Sequence, residues 1–136
     1  MLKHYEISGT DFSRAGEASS SFKTVLKQLG ISSEIIRKVA ISMYEAEINT
    51  VIHGGGGECR AEITDKSIVI TFLDNGPGIK DIELAMQEGY STASDHIREM
   101  GFGAGMGLPN IKKYTDNLHI YTKPGEGTTV VLTINL

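Results

Sequence analysis

Apolar residues recur along the chain with two different periods, and these periods predict its strands and helices. Residues 2–8 alternate between apolar and polar side chains, which predicts a short edge strand. Residues 11–30 repeat their apolar positions every three or four residues, which predicts a helix that Asp11 caps and Gly30 ends. The predicted apolar face of this helix consists of Ala15, Ala18, Phe22, Val25, Leu26 and Leu29.

A second helix is predicted from Ser32 or Ser33, either of which can cap it, to about His53, where four glycines stop it. The elements predicted after it are a hairpin of two strands that turns at Asp65–Lys66, a short helix near 80–88, a loose segment at 89–105, a helix at 107–116 and two strands joined by "KPGEG". The order β-α-α-β-β-α-α-β-β predicts an α/β (α+β) two-layer sandwich. Its one mixed, largely antiparallel sheet would be covered on one face by helices, in a single domain over residues 1–136.

Composition narrows the class of protein. Hydrophobic residues make up 40% of the chain and charged residues 22%, which is typical of a folded domain. The formal net charge is −4 and no basic cluster exceeds Lys112–Lys113, which argues against nucleic acid or an anionic membrane as a partner. The single cysteine, a start without a signal-peptide pattern and the absence of a run of about 20 apolar residues predict a cytoplasmic protein.

Four glycines at alternate positions, 101, 103, 105 and 107, precede the helix predicted at 107–116. A dinucleotide-binding fingerprint does not fit, because Met106 and Leu108 occupy the positions where glycine is needed. A P-loop does not fit either, because no glycine is followed by lysine and a hydroxyl residue. Two interpretations stay open: a flexible loop, or a loop whose backbone amides meet phosphate at a helix N-terminus.

The segment "LDNGPGI" follows an apolar strand and brings Asp74 to the end of that strand. On its own, the segment is equally typical of a plain turn. If it is functional, the Asp74 carboxylate would accept a hydrogen bond at the bottom of an apolar site. The exocyclic amino group of adenine is a donor of that kind, and a site built for such a donor discriminates strongly against ligands that lack it.

A polar stripe runs along the second predicted helix. At 100° per residue, Glu45, Asn49 and His53 fall within about 80° of one another, with Ser42 among them. Apolar residues flank the stripe on both sides, which indicates an internal cleft. Glu45 and Asn49 could hold a cation or activate a hydroxyl group. The alternative is a helical hydrogen-bonded pair with a histidine favoured by the dipole at the helix C-terminus.

These stretches, in this order, resemble the GHKL ATPase superfamily of gyrase, heat-shock chaperone, histidine kinase and mismatch-repair ATPases, whose nucleotide site is the Bergerat fold. "EAEINTVIH" is similar to its helix box, "DNGPGI" to its adenine box, "GFGAGMGL" to its phosphate-loop box and "GEGTTVVL" to its closing strand. Within that superfamily, the chain resembles in its small size the bacterial anti-sigma-factor serine kinases and the related switch kinases.

The resemblance implies a role for each matching residue. Asn49 would bind Mg²⁺, Glu45 would be the general base, Asp74 would accept the adenine amino group and Thr128 would support Asp74. His53 would have only a positioning role. The other residues that the resemblance places against ATP are Gly76, Gly78, Ile79, Gly103, Ala104, Gly105, Met106, Gly107 and Leu108.

The function that the resemblance implies is a protein serine/threonine kinase that uses ATP and Mg²⁺. Its partner would be a STAS-domain anti-anti-sigma or scaffold protein, with a sigma factor or phosphatase as further candidates, and a homodimer is compatible with the family. A second hypothesis is a non-catalytic module in which ATP gates the binding of such a regulator. A histidine kinase is disfavoured, because the chain has no room for a separate dimerisation domain.

Overall fold

The computed structural model describes residues 1–76, 107–123 and 125–136. Five strands and three α-helices lie in these ranges. They are β1 (Leu2–Ser8), α1 (Glu17–Gln28), α2 (Ser33–Ile52), β2 (Gly56–Ile63), β3 (Ser67–Asp74), α3 (Gly107–Tyr114), β4 (Asn117–Lys123) and β5 (Gly127–Asn135). A 3-10 turn, Phe12–Arg14, precedes α1. The helix predicted near 80–88 and the loose segment predicted at 89–105 lie outside the described residues.

The five strands form one sheet in the order β1-β2-β3-β5-β4, and all four strand pairings are antiparallel. The predicted two-layer fold is therefore confirmed, although the described strands include none of the parallel pairing that a mixed sheet allows. β1 is an edge strand, as predicted. The strand β5 lies between β3 and β4, which places its first residues beside the last residues of β3.

The helices cover one face of the sheet. α2 packs between α1 and α3 and contacts β1, β2, β3 and β5. The side chains that fill the core between the layers include Phe22, Leu26, Val39, Met43, Ile70, Phe72, Ile111 and Leu132. Residues on β3 with even numbers point into this core, and Asp74 continues that alternation at the strand's end.

The segment predicted as one helix over residues 11–30 is divided, so that prediction was wrong at its first turn. Asp11 caps the short 3-10 turn, where its Oδ1 accepts a hydrogen bond from the backbone N–H of Ser13 (3.1 Å). The chain then leaves helical geometry at Ala15 and passes through Gly16, whose φ of 96° is in the left-handed region. α1 therefore begins at Glu17.

The end of α1 follows the prediction except at Leu29. Gly30 adopts a φ of 73°, and the N–H of Ile31 donates to the carbonyl of Leu26 (3.1 Å), which closes the helix in a Schellman motif. Leu29 is the C-cap residue, and 45% of its surface is exposed. Its place on the buried face was therefore a wrong prediction, because the turn that ends the helix directs this side chain outward.

The second helix agrees with its prediction at both ends. Ser32 is its cap, with Oγ accepting a hydrogen bond from the N–H of Ile35 (3.4 Å), and α2 ends at Ile52. α3 begins at Gly107 as predicted and ends at Tyr114, with Pro109 in its first turn. Among the helices of the described ranges, none is long and apolar enough to cross a bilayer.

Candidate functional site

Asp74 lies at the end of β3 on the side of the sheet that the helices cover, where two backbone amides fix its carboxylate. Oδ1 accepts hydrogen bonds from the N–H of Gly76 (2.9 Å) and from the N–H of Thr128 (3.2 Å). Thr128 is on β5, so this contact joins residues 54 positions apart. These two bonds, both on Oδ1, set the orientation of the carboxylate.

The backbone around Asp74 is packed so closely that three glycine positions leave no room for a side chain. A Cβ atom on Gly54, just after α2, would lie 2.5 Å from Cγ of Asp74, and one on Gly76 would lie 2.8 Å from Cα of Gly54. A Cβ atom on Gly127 would lie 2.2 Å from the carbonyl oxygen of Asp74, and the φ of Gly127 is 93°. The ends of α2 and β3 and the start of β5 therefore meet only because these three positions lack side chains.

We expect the substitution Gly54→Ala to lower the free energy of unfolding by about 1–3 kcal/mol, because the new methyl group would displace the Asp74 carboxylate. Thermal or urea unfolding measures this effect. The matched control is the same substitution in an Asp74→Gly background, which lacks the side-chain atoms that the methyl group would meet. An equal loss in both backgrounds would contradict a close packing of Gly54 on Asp74.

The side chain of Thr128 does not contact Asp74 in the way that its predicted supporting role suggests. Its backbone N–H supports the carboxylate, whereas its Oγ1 pairs with Oγ1 of Thr122 on β4 (3.0 Å). Thr122 also donates to the carbonyl of Gly127 (3.3 Å). The two threonines therefore hold the start of β5 against β4, and this keeps the Thr128 amide in place beside Asp74.

The residues of the polar stripe predicted on α2 differ in their burial. Glu45 and Asn49 are half-buried one helical turn apart, and Nδ2 of Asn110 on α3 donates to Oε1 of Glu45 (3.4 Å). Ser42, in contrast, is fully buried, and its hydroxyl donates to the carbonyl of Lys38 in its own helix (2.7 Å). Ser42 therefore offers no free hydroxyl donor to a ligand, because a buried serine in a helix can satisfy its hydroxyl on the preceding turn.

His53 is the C-cap residue of α2, and its N–H donates to the carbonyl of Asn49 (2.9 Å). Burial lowers the pKa of the His53 imidazole below its ordinary value, and the nearby negative charge of Asp74 opposes this shift without reversing it. The imidazole next to Asp74 is therefore held in its neutral form at neutral pH.

We expect the protein to lose stability as the pH falls from about 7 to about 5.5, with a slope of up to about 1.4 kcal/mol per pH unit from His53. The sign follows because the lowered pKa means that the unfolded chain binds the proton before the folded chain does. Urea unfolding across this range should show a smaller slope in His53→Gln. The exposed His119 supplies the control, His119→Gln, and equal slopes in wild type and His53→Gln would contradict the assignment.

The start of α3 lies on the far side of α2 from α1. Gly107 is its first residue, and Leu108 and Ile111 are buried against the core. The first amides of a helix have no partner within the helix, and they carry the positive end of its dipole. The predicted phosphate-contacting residues Gly107 and Leu108 therefore stand where anions are favoured. The remaining predicted contacts, Gly78, Ile79, Gly103, Ala104, Gly105 and Met106, lie outside the described residues.

The structure thus places the predicted residues Asn49, Asp74, Gly76 and Thr128 around the end of α2, and Glu45 between α2 and α3. Sequence reasoning missed three contributors that lie beside them, Gly54, Asn110 and Thr122. The only sequence signal for Gly54 was its membership of the run "GGGG", which also ends a helix. Asn110 and Thr122 carried no signal, because their contacts join separate elements.

The oxygen donors of α2 are suited to Mg²⁺. The ion prefers carboxylate and amide oxygens and keeps several of its waters, so one or two protein ligands are sufficient. The side chains of Asn49 and Glu45 offer such oxygens one turn apart in a half-buried position. The residues present therefore fit the ion.

Residues 34–136 match the sequence profile of the histidine kinase-, DNA gyrase B- and HSP90-like ATPases. The chain belongs to this family. The matched range begins in the first turn of α2 and contains every element around Asp74, so the family's ATP-binding fold is the one that carries the site. The predicted resemblance to the GHKL ATPases is confirmed.

The sequences of curated relatives indicate to which functional group within the family this chain is similar. The chain is 35% identical over 111 residues to the anti-sigma F factor of Caldanaerobacter subterraneus subsp. tengcongensis, covering 78% of this chain and 74% of that protein. It is 30% identical over 112 residues to the serine/threonine-protein kinase RsbT of Bacillus subtilis, covering 79% of this chain and 78% of that protein. These relatives confirm the predicted class, an ATP-binding kinase of the anti-sigma or switch type.

Solved structures agree on the fold. The structure of the RsbU and RsbW domains of Rv1364c from Mycobacterium tuberculosis superposes with a TM-score of 0.67 at 18% identity. The match covers 98% of this chain and 32% of that longer chain. The mycobacterial sensor histidine kinase MprB superposes with a TM-score of 0.55 at 13% identity, covering 99% of this chain and 97% of that chain.

Proposed function

We propose that this protein transfers the γ-phosphoryl group of ATP to a serine or threonine hydroxyl of a STAS-domain regulatory partner in the cytoplasm. The observation that carries the proposal is the placement of Glu45. It lies one turn before Asn49 and accepts a hydrogen bond from Asn110, while two backbone amides fix Asp74 beside Gly54, just beyond the end of α2. A base, a metal ligand and an anchor for the purine are thus supplied by neighbouring elements.

The residues would divide the reaction among them. Oδ2 of Asp74 accepts the hydrogen bond of the adenine amino group while Oδ1 stays on the amides of Gly76 and Thr128. Asn49 would hold Mg²⁺, and the ion would supply positive charge to neutralise the phosphates. The Glu45 carboxylate accepts the proton of the partner's hydroxyl as that oxygen bonds to the γ-phosphorus and the bond to the β-phosphate oxygen breaks, which releases ADP.

The names of the relatives support this partner class. One relative is named an anti-sigma F factor and another a serine/threonine-protein kinase, so a sigma factor and a phosphorylated regulator are both candidate partners here. We propose the STAS-domain protein as the substrate and a homodimer as the assembly that presents two such sites.

The experiment is to incubate the protein with Mg²⁺, γ-labelled ATP and each STAS-domain protein encoded by the same organism. Label on serine or threonine of one of them supports the kinase. The anti-sigma name favours a second function, in which ATP only gates binding of a sigma factor or phosphatase. Co-elution that depends on nucleotide, with no label on any partner, would replace the kinase proposal by that one.

A further inference from the structure

A buried carboxylate joins α2 to the beginning of α1. Glu47 on α2 is only 2% exposed, and its two oxygens accept four hydrogen bonds. Oε2 accepts from the N–H of Gly16 (2.9 Å) and of Ala18 (3.2 Å). Oε1 accepts from the N–H of Ser19 (2.9 Å) and from its hydroxyl (2.7 Å).

The Glu47 carboxylate supplies the N-terminal cap that α1 lacks in its own sequence. The N-cap residue of α1 is Gly16, which has no side chain to accept from the first amides of the helix. Glu47 provides that acceptor from another helix, 31 residues further along the chain from Gly16. A negative charge is also favoured there, because the helix dipole is positive at the N-terminus.

The position of Glu47 on α2 connects this contact to the candidate site. At 100° per residue, Glu45 and Asn49 are about 40° apart, and Glu47 lies about 180° from the line midway between them. The contact with α1 and the two proposed site residues therefore lie on opposite sides of one helix. Polar atoms on such side chains are about 6 Å from the helix axis, so a rotation of about 10° moves them by about 1 Å.

We infer that Glu47 is a positioning residue for the reaction, because its four hydrogen bonds set the rotation of α2 and so set the direction of Glu45 and Asn49 on the opposite side of this helix. The inference rests on the proposed function in taking those two side chains as the base and the metal ligand. A misplacement of about 1 Å is enough to slow a reaction by about a hundredfold, so the effect is measurable.

The variant that tests this is Glu47→Gln. The side chain keeps its size, but one oxygen becomes an NH₂ group that faces the amide donors of α1, so α2 is expected to turn or shift. Glu47→Ala is not used, because it would leave all four donors without an acceptor and so oppose folding. Glutamine keeps one acceptor oxygen, which can still accept two of the four hydrogen bonds. Ser19→Ala removes only the hydroxyl donor and should show the same changes at a smaller size.

A control variant at Ile68 separates an effect of Glu47 on the geometry of the site from a general loss of stability. Ile68 is fully buried at the start of β3, about 20 Å along that strand from Asp74. Ile68→Val or Ile68→Ala, whichever matches the loss of Tm in Glu47→Gln, is the control. All measurements are made at a temperature where every variant is folded.

Three readouts decide the matter: the kcat and KM of transfer, the affinity for Mg-ATP by calorimetry, and the side-chain amide NMR signals of Asn49 and Asn110. Glu47→Gln should lower kcat by about ten- to a hundredfold with little change in the KM for the partner, and shift both amide signals. The matched Ile68 variant should change none of them. Equal behaviour of the two variants would overturn the inference.

The outcomes distinguish this inference from the proposed function. Absence of transfer in the wild type would end the kinase proposal alone. The amide signals and the ATP affinity would then decide the role of Glu47, since neither needs a phosphorylated product. Transfer in the wild type, with amide signals and kcat unchanged in Glu47→Gln, would sink the positioning role and leave the kinase intact.

Discussion

The substitution Glu45→Gln is expected to lower phosphoryl transfer by about 10²–10⁴-fold while Mg-ATP still binds within about threefold of the wild type. The glutamine keeps the side chain's length, and its amide oxygen can still accept the hydrogen bond that Asn110 gives to Oε1. What it loses is the capacity to take the proton of the partner's hydroxyl. Single-turnover transfer and calorimetry measure the two quantities.

The control for this variant is Glu34→Gln, which makes the same chemical change at an exposed position in the first turn of α2. It should leave both transfer and binding unchanged. Transfer by Glu45→Gln at the rate of the wild type would show that this carboxylate is not the base, although the nucleotide site itself could remain where we place it.

The substitution Asp74→Asn should weaken the binding of ATP by about a hundredfold or more. Because the amides of Gly76 and Thr128 both point at Oδ1, the asparagine oxygen will take that position and Nδ2 will take the position of Oδ2. Nδ2 would then face the adenine amino group, donor against donor. Calorimetry with Mg-ATP measures the loss.

The same geometry predicts that Asp74→Asn changes the preference between two nucleotides, ATP and inosine triphosphate. Inosine triphosphate carries an acceptor where ATP carries the amino group, so Asp74→Asn should bind it better relative to ATP than the wild type does. Asp65→Asn, at the exposed turn between β2 and β3, is the control and should bind ATP normally. Undiminished ATP binding in Asp74→Asn would remove the purine anchor from the proposal.

The fold was largely predictable because its periodic segments are local signals. The alternation in β1 and β3 and the Ser32 cap of α2 are readable from adjacent residues, and the structure agrees with them. The break at Gly16 was not predictable in the same way. The apolar spacing of residues 11–30 continues through it, and α1 begins at Glu17 because Glu47 supplies its cap from another helix.

The site was predictable only where a residue acts within its own segment. Asp74 follows a buried strand, and Glu45 and Asn49 share a helical face, so each could be picked from spacing. Glu47 could not, since a glutamate on a helix is normally solvated and its four donors lie 28 to 31 residues earlier. Its role comes from the packing of two helices, which spacing does not encode.

The place of β5 in the sheet has a consequence for synthesis on the ribosome. This strand is translated after β1, β2, β3 and β4, yet it fills the gap between β3 and β4 and supplies the Thr128 amide to Asp74. A nascent chain that ends before Gly127 therefore leaves the backbone hydrogen-bonding groups on one edge of β3 without β5, and Asp74 without one of its donors. The nucleotide site that we propose around Asp74 is therefore complete only after β5 has emerged from the exit tunnel.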